Sequence, residues 1–209
     1  MNIVIKISLM IILVGIVLVF WLKWDSIIGK KTLPIPLVNT NTIQNIPSVN
    51  IPSQYNQNDK RWSTDLLGNT KEILGNVGCL VSSVAMNLSY YDIDIDPKKL
   101  NEALRNIDGY TSAGWLIWGK LEDVTDGKVE VDFPELSHKT IDDLLRVKKP
   151  VLAKILIRQT IPHWVLIVGK KDGEYLIYDP LESATYTPIS KYNSLIYAIR
   201  VLEDGDWSQ

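Results

Sequence analysis

Gly78-Cys79-Leu80-Val81-Ser82-Ser83-Val84-Ala85-Met86-Asn87-Leu88 carries the strongest helical signal of the chain. Its apolar residues fall at 80, 81, 84, 85 and 88, the spacing of one buried helix face, with Gly78 just before the first turn. The only cysteine of the chain therefore stands at a helix amino end. Unpaired N–H groups and the helix dipole there favour the thiolate, the form of cysteine that attacks carbonyls.

Working outward, Asp96-Pro97 supplies an N-cap and a first-turn proline for a second helix through about Asn106. Thr140-Ile141-Asp142-Asp143 has the form of a capping box, with Asp for Glu/Gln, opening a third helix to about Arg146. The period then changes. Val151 to Ile157, Trp164 to Val168, Glu174 to Tyr178 and Leu195 to Val201 are β-branched and aromatic runs separated by turn residues. Lys170-Lys171-Asp172-Gly173 between two of them signals a hairpin. Helices followed by an antiparallel sheet define an α+β domain with N-terminal helices packed on a C-terminal sheet.

Composition narrows the function. The chain has 209 residues, one Cys, two His, and 22 Lys+Arg against 24 Asp+Glu. One cysteine excludes an internal disulfide, and one Cys with two His excludes a Cys-rich zinc cluster or a three-histidine site. Near-neutral charge argues against nucleic acid as a partner. Asp92-Ile93-Asp94-Ile95-Asp96 has a superficial calcium-loop pattern, but Pro97 and Ala103 stand where Gly and Glu are required. No metal or organic cofactor is implied. His138, in a polar segment, is expected to be solvent-exposed.

The N-terminal part differs from the rest. Ile7 to Leu22 carries no charge, and residues 3–24 approach the ~20 apolar residues that span a bilayer, with Trp21 and Trp24 as interfacial aromatics. The run exceeds a signal-peptide core and lacks a small-residue cleavage site. Residues 1–24 are thus expected to be an uncleaved transmembrane anchor. Lys6 before it and Lys23, Lys30 and Lys31 after it leave the positive-inside rule balanced, and the signal-anchor layout favours an extracytoplasmic domain. Residues 25–54 read as a tether: from Thr32 to Gln54 there is no charged side chain, and Pro34, Pro36, Pro47 and Pro52 are mixed with Asn, Thr and Ser. Residues 55–209 form the expected compact body. Removing residues 1–31 leaves 18 basic against 23 acidic groups, near −5, a poor match for anionic lipid or phosphate backbones.

Two further residues complete a pattern with Cys79. His163 begins the first strand of the hairpin and Asp179 ends the second, so they should meet across the ladder within a register error of one to three residues. A base that reaches the thiol and is itself oriented by a third group is the arrangement nucleophilic catalysis requires.

The chain resembles the peptidase C39-like family of the papain-like superfamily. The resemblance is carried by Gln57-Asn58-Asp59-Lys60-Arg61-Trp62, Leu67-Gly68, Gly78-Cys79-Leu80-Val81, Asp96-Pro97 with Gly109-Tyr110, Lys149-Pro150-Val151, His163-Trp164-Val165 and Tyr178-Asp179-Pro180, over roughly Gln54 to Val201. It implies a papain-like fold and a cysteine peptidase acting on a peptide or protein substrate. Cys79 would be the nucleophile, His163 the general base, Asp179 its orienting carboxylate, and Gln57 an oxyanion donor beside the Cys79 N–H. Gly78, Trp115 and Trp118 would border the substrate. Ile73 stands where related enzymes place a Gln six residues before the nucleophile, and Gln54 competes with Gln57 for that role. The same residues would also suit acyl transfer of the transglutaminase kind, and a papain-shaped binding module is the non-enzymatic alternative. Oligomeric state is not legible.

Overall fold

The computed structural model describes residues 33–38, 44–182 and 186–205. The expected anchor, residues 1–24, lies outside them. Among the described residues no helix is long and apolar enough to cross a membrane. The chain divides into two compact units, Met1–Leu33 and Pro34–Gln209, and every helix and strand of the described residues belongs to the second.

Its elements run β1 (Ile35–Pro36), α1 (Leu74–Val77), α2 (Cys79–Tyr90), α3 (Pro97–Asn106), α4 (Lys120–Val124), β2 (Val129–Asp132), α5 (His138–Arg146), β3 (Val151–Ile157), β4 (Ile161–Lys171), β5 (Glu174–Tyr178), β6 (Thr187–Pro188), a 3₁₀ turn (Ile189–Lys191), β7 (Leu195–Ile196) and β8 (Ala198–Asp204). Six strands form one antiparallel sheet in the order β2-β8-β3-β4-β5-β6. The fold is α+β, as the patterning implies.

Strand alternation gives the sheet two buried faces. Leu152, Leu166, Val168 and Leu202 point to one core with Val81, Val84, Ala85 and Leu88 of α2 and Leu100 and Leu104 of α3. Val151, Ala153, Ile155, Val165, Ile167, Ile199 and Val201 point to the other, closed by Ile141 and Leu145 of α5. A near-continuous apolar run such as Trp164 to Val168 is what burial on both sides demands. The hairpin turn is Asp172-Gly173, both at positive φ (52° and 83°), the conformation of a type I′ turn.

Several boundaries differ from the sequence pattern. The third helix starts at His138, because Ser137 is the N-cap and its Oγ accepts the Thr140 N–H at 3.0 Å; the capping box expected at Thr140 lies one turn inside. His138 is therefore half-buried, stacked on Tyr175 at 5.8 Å and within 3.1 Å of its hydroxyl, not solvent-exposed. The Leu195–Val201 run is broken at Tyr197, whose N–H turns to the Lys154 carbonyl (2.8 Å). β2 and α4, four and five residues long, are too short for a periodic signal.

The boundary at Tyr55 also moves. The compact unit starts at Pro34, and the described part of the expected tether packs on it. β3 runs out where Val151 meets Ile167, leaving the edge of β4 beyond it open. Ile46 and Lys170 exchange backbone bonds at 2.8 and 2.9 Å there, and the Val49 N–H reaches the Val168 carbonyl at 2.7 Å. Gly169 permits this approach, since a Cβ on it would stand 2.7 Å from Ser48. Val38 pairs with Glu174, and β1 pairs with β7. Leu37, Ile46, Val49 and Ile51 are buried. A strap that satisfies open strand edges replaces the free tether.

Burial of four such side chains stabilises by about 1.5–3 kcal/mol each, a large part of a domain's total stability. A chain beginning at Tyr55 is therefore expected to be less stable than one beginning at Pro34 by several kcal/mol, after the entropy cost of ordering the strap is subtracted. Urea unfolding of the two checks this; equal midpoints would show that the strap is dispensable.

Candidate active site

α2 carries Cys79 at its first position, capped by Gly78, which makes no side-chain cap bond. The first helical bond runs from the Ser82 N–H to the Gly78 carbonyl at 2.9 Å. The helix itself thus leaves the N–H groups of Cys79, Leu80 and Val81 open. A Cβ at residue 78 would meet the Leu74 carbonyl oxygen at 2.5 Å, so the tight joint between α1 and α2 requires glycine. One turn into α2, the buried Ser83 hydroxyl donates to the Trp164 carbonyl at 3.0 Å. This bond ties the nucleophile's helix to β4 at the residue after His163.

His163, third in β4, is 2% exposed. Its Nε2 lies 2.8 Å from Asp179 Oδ1, and the Cys79 thiol is close enough to the ring to raise its proton affinity. With Nε2 taken, Nδ1 is the nitrogen left for sulfur. Asp179 follows β5 directly. Leu166 pairs with Tyr178, so the register places residue 179 opposite Val165, on the same sheet face as His163 and diagonal to it. Such diagonal neighbours are within reach of an imidazole. The structure thus brings Cys79, His163 and Asp179 together.

The carboxylate is surrounded by donors. Besides His163, Oδ1 accepts the Leu181 N–H at 3.0 Å; Oδ2 accepts the Tyr192 hydroxyl and lies 2.6 Å from Lys191 Nζ. Burial works against its charge, but the bonds from His163, Lys191 and Tyr192 outweigh it and hold the carboxyl well below the usual range. For His163, burial works toward the neutral ring. The Asp179 and Cys79 partners outweigh it and raise the value to about 9. Lys191 and Tyr192 give no signal in the sequence: they lie in a short polar segment with no spacing relation to Asp179.

The remaining predicted residues occupy varied positions. Gln57 is buried; its Nε2 donates to the Gly75 carbonyl at 2.8 Å and its backbone N–H to the Pro180 carbonyl at 2.8 Å. It therefore links α1, just ahead of Cys79, to the residue after Asp179. Its Oε1 is buried with no hydrogen-bond partner. Gln54, the competitor, lies beside the Tyr178 hydroxyl. Gly78 is buried at the joint. Trp118 packs edge-on against Trp164 at 5.4 Å, with Arg200 over its ring at 5.5 Å. Trp115 is 74% exposed and takes no part in that cluster. Among the described residues no group of three or more His, Cys, Asp and Glu could hold a metal ion.

A second buried charge pair lies elsewhere. Lys170 Nζ contacts both Asp142 oxygens (3.0 and 2.8 Å), and the Tyr175 hydroxyl donates to Asp142 Oδ1 at 3.0 Å. It joins α5 to the hairpin. Burial and the Lys170 charge push His138 below its ordinary value.

The Peptidase C39 family model matches residues 75–195. That span contains Cys79, His163 and Asp179. Among solved structures, a protein of Bacillus anthracis designated C39-like peptidase superposes with a TM-score of 0.49 at 14% identity, over 78% of this chain and 99% of its own. A search of curated proteins returned no match.

The two histidines should titrate in opposite directions from the ordinary 6.5, His163 near 9 and His138 below it. Because the folded value of His163 is raised, its contribution to stability is complete below about pH 6.5 and is lost as pH rises through about 9. The melting temperature of the wild type should accordingly fall more between pH 7 and 10 than that of His163→Gln. Parallel falls would show that the ring gains no charge on folding.

Proposed function

Because the chain belongs to the Peptidase C39 family, we propose that it is a cysteine peptidase of papain-like fold, hydrolysing peptide or isopeptide bonds through Cys79, His163 and Asp179. The observation that carries this reading is the buried His163 ring, bonded to Asp179 on one side and neighboured by the Cys79 thiol.

The chemistry follows from that bridge. His163 takes the thiol proton as the Cys79 sulfur attacks the carbonyl carbon of the substrate. Negative charge moves to the carbonyl oxygen, where the open Cys79 N–H and the second Nε2 proton of Gln57 stabilise it. The tetrahedral species collapses as the imidazolium gives its proton to the departing amine, leaving a thioester on Cys79. The neutral ring then removes a proton from water, hydroxide attacks the thioester, and thiol and acid are regenerated. Asp179 remains ionised throughout and fixes the ring orientation. Gln57 suits its role because the bond to Gly75 immobilises one amide proton and directs the other.

The anchor reading of residues 3–24 rests on composition: a charge-free run from Ile7 to Leu22 with Trp21 and Trp24 at its C-terminal end. It makes this a membrane-tethered peptidase whose domain faces away from the cytoplasm, acting on extended peptide or protein chains. Carbonate extraction should leave the chain in the membrane fraction, and added protease should reach the domain in intact cells. Release by carbonate, or protection from the protease, contradicts the anchor or the side respectively.

Hydrolysis of a fluorogenic peptide library tests the activity. Cys79→Ala should abolish turnover, His163→Ala should reduce it by about 10³-fold or more, and Gln57→Ala should reduce kcat by about 10²–10³-fold. Since His163 must hold a proton to release the amine, kcat/KM of the wild type should decline as pH rises through about 9. Turnover that survives Cys79→Ala, or none on any peptide or isopeptide, would exclude the reading.

A further inference from the structure

The Lys191–Tyr192 pair belongs to none of the roles above, yet both side chains end on the carboxylate that orients His163. Asp179 presents two oxygens. Oδ1 serves His163 Nε2 at 2.8 Å. Oδ2 is held from the opposite side by the Tyr192 hydroxyl and by Lys191 Nζ at 2.6 Å. An Asp carboxylate rotates about a soft, two-fold torsion, so a bond to one oxygen alone does not fix its plane. Two donors on Oδ2, with the Leu181 N–H on Oδ1 at 3.0 Å, do.

Tyr192 also packs against the imidazole itself, with ring centroids 5.7 Å apart. One residue thus touches both members of the His163–Asp179 pair. Burial and the Asp179 carboxylate raise its hydroxyl far above the ordinary value, so it remains a donor at every working pH. The Lys191 side chain is 25% exposed and bridges Asp179 to Glu182 Oε1 at 2.8 Å, with its ammonium over the Tyr192 ring at 4.9 Å. The backbone that carries the pair is itself fixed. Ile189 is fully buried, the Ser194 hydroxyl accepts the Leu156 N–H at 2.9 Å, and β7 pairs with β1 of the strap.

We propose that Lys191 and Tyr192 are positioning residues of the site: together they clamp Asp179 Oδ2 so that Oδ1 holds the His163 ring against Cys79. The proposal rests on the peptidase reading for its catalytic consequence, though not for the geometry it concerns. Lys191 has a second effect. Its positive charge draws on the same carboxylate that stabilises the imidazolium, so the proton affinity of His163 is set by a balance. The charged and titratable groups facing the ring are Cys79 from α2, Asp179 after β5 and Tyr192 after the 3₁₀ turn, with Lys191 and Glu182 beyond Asp179.

The chain has only two histidines, so ¹⁵N-histidine labelling of the full-length protein in detergent reads His163 directly, with His138 as an internal control. Lys191→Met should shift the His163 titration upward by about 0.5–1 pH unit, and Lys191→Arg should restore it. Tyr192→Phe keeps the ring and removes only the donor. It should broaden the hydrogen-bonded Nε2–H resonance and lower kcat about tenfold with KM unchanged. Unaltered His138 signals and a cooperative melting transition report that the variants fold. Wild-type His163 titration and Nε2–H line width in both Lys191→Met and Tyr192→Phe would overturn the proposal. If no peptide is turned over, the peptidase reading fails, and the ring signals still decide whether the clamp exists.

Discussion

α2 docks against β4, and the geometry of the site follows from how the two elements meet. Cys79 sits on a helix and His163 on a strand more than eighty residues later, so their meeting is decided by how one element rests on the other. Apolar interdigitation supplies most of the docking energy: Val81, Val84, Ala85 and Leu88 oppose Leu152, Leu166 and Val168. Such packing alone tolerates small sliding. The buried bond from Ser83 to the Trp164 carbonyl removes that freedom one turn from the nucleophile and one residue from the base. The thiol and the imidazole inherit their contact from that register.

The second requirement is electrostatic. A carboxylate as buried as Asp179 is costly unless donors saturate its oxygens. Four donors from His163, Leu181, Tyr192 and Lys191 meet that cost. The ionised carboxylate then offsets the burial of the His163 charge. Each charged group is tolerable because the next one is present, and removing one partner leaves a buried charge exposed to its full desolvation penalty. The Lys170–Asp142–Tyr175 cluster obeys the same rule, but it joins α5 to the hairpin and touches no reacting group.

Much of this is legible in the sequence, and the failures have physical causes. Asp172-Gly173 announces its hairpin because two consecutive positive-φ positions tolerate few residues. The run Leu80 to Leu88 announces a helix because its period is unbroken, and the hairpin then brings His163 to Asp179 by register alone. The strap reads as a tether because its buried residues, Leu37, Ile46, Val49 and Ile51, are scattered among Pro and Asn and follow no period. They fill strand edges whose opening depends on where β3 stops, a tertiary fact. Ser137 escapes notice as a cap because Thr140 offers an equally good local pattern. Lys191 and Tyr192 reach Asp179 only through a fold-back that no spacing encodes. The roles of Trp115 and Trp118 divide for a similar reason: only the latter lies against Trp164.

A thioester on Cys79 is the covalent intermediate that this site would form. Full-length protein mixed with an activated peptide ester, quenched in acid and analysed by intact mass and peptide mapping, should carry one acyl group as a thioester on Cys79. The adduct should be absent in Cys79→Ala and strongly reduced in His163→Ala at neutral pH. Peptide turnover without any acyl group on Cys79, or acylation at equal rate when His163 is replaced, would show that the docked helix does not hand its thiol to a clamped imidazole.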